Sequence, residues 1–93
     1  MKKYAINRDY GGFGIGFHNT EYYYFTSYER DNEELIAFLE NPDNAEYVED
    51  IEIVLVPDDA TDTLLTEEDG FETLYYVQNG LIHIAVTAEE MED

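Results

Sequence analysis

Carboxylates are the reactive group this sequence supplies in excess. Asp58, Asp59 and Asp62 cluster after Pro57, and Glu67, Glu68 and Asp69 run up to Gly70. A further series, Glu40, Asp43, Glu46, Glu49, Asp50 and Glu52, leads from the end of a predicted helix into the next strand. Grouped oxygen donors suit a hard cation such as calcium. None of the groups has the D-x-[DN]-x-[DN]-G-x5-E spacing of an EF-hand loop, so solvated acidic turns that attract cations diffusely outweigh a specific metal site. Two carboxylates can also act as general acid and base, but no pair is set apart by an environment that would tune it. Ser27 is the sole serine, and nothing near it reads as an activating base. His18 and His83 need carboxylates to complete a zinc site; the first reads as a turn residue and the second as part of a hairpin strand. Gly12-x-Gly14-x-Gly16 lacks the spacing, the following helix and the lysine of a phosphate loop. The expectation is a chain without catalytic residues, resident metal or cofactor.

The distribution of charge is more informative than any single cluster. The 93 residues carry a net charge of -19, and Arg30 is the last Lys or Arg. Residues 31–93 hold 20 of the 23 acidic side chains. Ordinary domains intersperse both signs at a net magnitude of about 2–8, because self-repulsion on a larger scale opposes compaction. Such a field repels nucleic acid and anionic membranes and attracts a positively charged partner. Duplex DNA presents a phosphate every ~3.4 Å along each strand. Carboxylates two apart on a strand face are separated by about 6–7 Å, and those at i, i+4 on a helix by about 6 Å of rise. A rigid acidic face can therefore occupy a Lys/Arg groove shaped for phosphates. The expected partner is a positively charged nucleic-acid-binding protein. The candidate partner-binding residues are the carboxylates of the three groups together with Tyr22 and Tyr24. Those tyrosines belong to the aromatic run Tyr22–Phe25, and tyrosine gives a large contact area at small entropic cost. The competing readings are a tyrosine-rich edge strand and a generic acidic adaptor or structural module whose charge maintains solubility.

Length and composition bound the fold. Ninety-three residues make one domain with a small core. Hydrophobic residues at 44%, with nine Tyr and five Phe, exclude a disordered acidic tail. Cysteine is absent, which removes disulfides and thiol chemistry and is compatible with a reducing cytosol. Residues 1–20 contain no apolar signal region, and no stretch approaches ~20 apolar residues. A soluble, cytoplasmic protein is expected.

Strands are expected to outnumber helices among the elements that position these groups. Lys3–Asn7 alternates, with Tyr4 and Ile6 on one face. Phe13, Ile15 and Phe17 alternate with glycines, His18–Glu21 reads as a turn, and Tyr22–Thr26 as a strand. A helix starts near Asp31, which stands three residues before Glu34 as in a capping box, and stops at Asn41-Pro42. Leu35, Ile36, Phe38 and Leu39 form its apolar stripe. Ile51–Val56 is a strand, Thr63–Thr66 a short one, and Glu67–Gly70 a turn. Leu74–Gln78 and Leu81–Val86 flank Asn79-Gly80, the preferred two-residue hairpin dipeptide. Residues 87–93 read as a fraying end. The fold expected is α+β: an antiparallel or mixed sheet of about five to six strands with one helix packed on one face. Leu35, Phe38 and Leu39 are expected to bury against Ile51, Ile53, Leu55, Ile82 and Ile84.

Four segments carry a resemblance. Ile6–Gly14 (I-N-R-x-Y-G-G-F-G), Arg30-Asp31, Ile53–Asp59 with its Pro-Asp-Asp, and Asp69-Gly-x-Glu72 resemble, in order and spacing, a set of small proteins of bacterial and phage genomes. The chain departs from that pattern between Ile15 and Tyr28, where a hairpin replaces a serine-led helix. The resemblance implies a phage or mobile-element origin and carries no activity or functional residue with it. The small, acidic, cysteine-free character is similar to that of phage anti-CRISPR and anti-restriction proteins that imitate DNA. It implies an inhibitor of a CRISPR effector or restriction factor.

Overall fold

The computed structural model describes the backbone of residues 1–8, 14–17, 20–24, 30–47 and 50–91, and the side chains of these apart from 14–17, 20–24 and 45–47. The strands are β1 (Lys2–Asn7), β2 (Gly14–Phe17), β3 (Thr20–Tyr24), β4 (Ile51–Val56), β5 (Asp62–Glu68), β6 (Phe71–Gln78), β7 (Leu81–Ile84) and β8 (Val86–Thr87). Helix α1 spans Glu33–Glu40, a 3-10 helix follows over Pro42–Tyr47, and the single turn α2 spans Ala88–Met91.

The class is α+β and dominated by strands, but the single sheet of five to six strands is corrected. The strands divide into antiparallel sheets ordered β1-β4-β8, β2-β3 and β5-β6-β7. The division happens at Ala85. Its N–H donates to the Leu74 carbonyl at 2.9 Å, as a β7 residue would. The next two residues then pair with β4, Val86 opposite Leu55 and Thr87 opposite Val54. One continuous run thus serves two sheets, and Ala85, 3% exposed, is the small buried residue at the crossing.

The second half of strand β1 is buried on both faces. Ala5 packs with Leu35 and Ile36 of α1, supported by Phe38, Leu39, Ile51 and Ile53. Ile6 points the other way, into Val54, Val56, Leu74 and Ala85, with Tyr4 alongside as the alternation predicts. Period-2 geometry explains why adjacent residues serve two cores.

Helix α1 is capped by Asn32 rather than Asp31. The Asn32 Oδ1 accepts the N–H groups of Glu34 at 2.9 Å and Leu35 at 3.1 Å, the second and third helical donors that a cap side chain reaches. The helix ends as expected at Asn41, which is extended (φ -74, ψ 118) ahead of Pro42. Both hairpin turns of the β5-β6-β7 sheet are two-residue turns with positive φ. Asn79-Gly80 has φ 53 and 78, and Asp69-Gly70 has φ 52 and 91. Strand β5 is consequently longer than Thr63–Thr66, and it carries Glu67 and Glu68 within the ladder.

Ile82 and Ile84 do not join the helix core, contrary to expectation; they are 73% and 56% exposed. Register decides this. Ile82 sits opposite Val77 and Ile84 opposite Tyr75, so both lie on the face of β6 opposite to buried Leu74. At the end of the chain, where a frayed segment is expected, α2 is started by Thr87, whose Oγ1 accepts the Glu90 N–H at 3.3 Å. Among the described residues no helix is long and apolar enough to cross a membrane.

Candidate interaction surface

The basic residues determine which carboxylates remain uncompensated. Arg30 and Glu72 form a buried, two-pronged ion pair, Nη1 to Oε1 at 2.5 Å and Nη2 to Oε2 at 2.7 Å. Their side chains are 10% and 7% exposed. The Asn7 N–H donates to the same carboxylate at 2.7 Å, and Asn7 Nδ2 donates to the Gly70 carbonyl at 2.8 Å. Arg8 lies 4.4 Å over the Phe71 ring, donates to the Glu72 carbonyl at 3.3 Å and approaches Glu52 at 3.7 Å. Asn7, Arg8, Arg30, Gly70 and Glu72 belong to three segments of the sequence pattern noted above. They converge where β1 meets the β5-β6 hairpin, and their role there is to fasten the two three-stranded sheets. A buried carboxylate needs such satisfaction, and a guanidinium supplies it with matched geometry. Sequence reading places Glu72 in the Asp69-Gly-x-Glu72 segment of that pattern but does not pair it with Arg30, and it leaves Glu72 out of the acidic groups proposed for binding.

Ion pairing takes members out of the series from Glu40 to Glu52. Glu52 is half-buried and faces Arg8, and Glu40 pairs with Lys3 at 2.7 Å. Asp43 and Asp50 are exposed. Glu46 lies on the 3-10 helix with its side chain outside the described residues, and Glu49 lies outside them entirely. Tyr22 and Tyr24 are two apart on β3, where Tyr24 is paired with Gly14; their side chains are also outside the described residues.

The remaining carboxylates gather around one sheet. Asp58 and Asp59 occupy the exposed turn before β5, where Asp58 meets the N-terminal amine at 3.3 Å and Asp59 accepts from Gln78 Nε2 at 2.9 Å. Asp62 begins β5, Glu67 and Glu68 close it, and Asp69 stands in the turn that follows, all exposed. Asp62 and Glu68 lie on the same strand face, about 20 Å apart at 3.3–3.4 Å per residue. The acids thus sit at two ends of the strand rather than as a continuous track. Among the described residues no three carboxylates or histidines are grouped to hold a metal ion.

Between those ends lies an apolar surface that sequence reading missed. The outward face carries Leu64 from β5, Tyr75 and Val77 from β6, and Ile82 and Ile84 from β7, as the registers require. Leu64 is 62% exposed. A shallow groove runs along it, lined by Asp62, Leu64, Tyr75, Val77 and Ile82. On the opposite face Tyr76 stacks against His83 at 5.2 Å, which accounts for that histidine structurally. Comparison of the chain with protein-family models, with curated proteins and with solved structures finds no match.

Proposed function

We propose that this chain is a binding module that uses its acidic surface to occupy a positively charged nucleic-acid-binding protein in place of nucleic acid. In this reading it is an inhibitor from a phage or mobile element, and its target is a CRISPR effector or restriction factor. The observation that carries the reading is the placement of the few cations. Arg30 is spent on a buried partner, and Arg8 and Lys3 face Glu52 and Glu40. Asp59, Asp62, Glu67, Glu68 and Asp69 make no ion pair among the described residues, and they rim one sheet. Fields of this kind steer oppositely charged partners together and repel nucleic acid itself.

The exposed apolar face favours a second reading, an acidic adaptor that docks on its partner without imitating phosphates. Competition separates the two. The immobilised chain is used to capture protein from a bacterial lysate at low and high salt, and the bound fraction is challenged with duplex DNA. Mimicry predicts a nucleic-acid-binding protein released by DNA and by salt. A captured protein that stays bound while it also binds DNA supports the adaptor.

A further inference from the structure

We infer that the outward face of the β5-β6-β7 sheet docks a protein surface whose centre is apolar and whose edge carries Lys and Arg. The inference rests on the proposal above that the partner is positively charged, and it adds where and through what contacts that partner is held. Two observations support it. Leu64, Ile82 and Ile84 are each more than half exposed and lie on one sheet face, on the two strands that flank β6, with Tyr75 and Val77 of β6 between them. Contiguous apolar surface of this kind marks interaction sites. The carboxylates are arranged around that face: Asp62 and Glu68 at the two ends of β5 on the same side, with Asp59 and Asp69 in the adjoining turns.

An apolar centre with a charged rim is the ordinary anatomy of a protein interface, and here the rim has one sign. That sign selects the occupant. A second copy would bring another chain of net charge -19 against the same rim, and like charges brought face to face oppose association. Nucleic acid is repelled for the same reason. A surface with cations spaced to meet both ends of β5, and aliphatic or aromatic groups between them, satisfies both parts.

The test uses the full chain and synthetic peptides, read by amide chemical-shift mapping and by titration. One peptide is an amphipathic helix of Leu and Lys. A control keeps every Lys and replaces each Leu with Gln. The variants are Leu64→Ser and Ile82→Ser, both at exposed positions, with the unperturbed amide spectrum of the remaining residues reporting that the fold is kept. The expected result is that the Leu/Lys peptide shifts amides of β5, β6 and β7, retains measurable affinity at high salt, and loses about tenfold or more on the double substitution. The Lys/Gln peptide should bind weakly, without sensitivity to the substitutions, and be released by salt. If both peptides bind equally and neither responds to Leu64→Ser/Ile82→Ser, the apolar docking face is refuted while the cationic partner stands. If neither binds, both fall. If the free chain is dimeric by sedimentation and the substitutions make it monomeric, the face is a self-interface and the inference is overturned.

Discussion

Arg30 and Glu72 are 42 residues apart in sequence and form the most buried charge pair among the described residues. A bidentate pair removed from water is held by geometry, since each ion has given up its hydration. Replacing Arg30 with Met would leave the Glu72 carboxylate buried against the Asn7 N–H without its counter-charge. We expect a loss of roughly 3–5 kcal/mol in urea unfolding. The double variant Arg30→Met/Glu72→Met should recover part of that loss, because both desolvated charges disappear together. A single substitution within ordinary surface scatter would mean that the pair does not join the sheets. The sequence pattern contains both Arg30 and Glu72 but does not announce that they meet. Glu72 is one acid among 23, and which of them meets Arg30 depends on the fold that brings β1 beside the β5-β6 hairpin.

At the scale of elements, the signals that were legible are local. The alternation of Ile51, Ile53 and Leu55, the Asn79-Gly80 turn and the Pro42 stop each correspond to an observed element with its expected boundary. What was not legible is which face each element turns inward. Ile82 and Ile84 look like core residues in a strand, yet their parity relative to Leu74 places them outside. Likewise the switch at Ala85 depends on β4 offering an unpaired edge, a property of the assembled sheet. The helix supplies a graded test. Leu35 is 1% exposed and sits against Ala5, whereas Leu39 is half-buried. Leu35→Ala should cost about 2–5 kcal/mol, and Leu39→Ala distinctly less, measured by denaturant midpoints with unchanged slopes. Equal costs would contradict the assigned helix face.

For the whole molecule, charge is the dominant quantity. With Arg8, Arg30 and Lys3 facing nearby acids, most of the -19 faces solvent, and the folded state concentrates it more than the unfolded chain does. Raising salt from about 0.01 to 0.1 M shortens the screening length from ~30 to ~10 Å, so the Tm should rise over that range. A flat or falling Tm would show the repulsion to be compensated already. The same field should govern association. Reversing Asp59, Asp62 and Glu68 to Lys removes rim charges from exposed positions and should slow binding to the captured partner by on the order of tenfold at low salt. The central claim is that this surface takes the place of nucleic acid, and the most direct measurement is an equilibrium titration of the purified partner with this chain at increasing concentrations of duplex DNA. The account predicts mutual exclusion, with the apparent Kd rising in proportion to DNA and no ternary complex. A ternary complex in which each ligand keeps its affinity would contradict it.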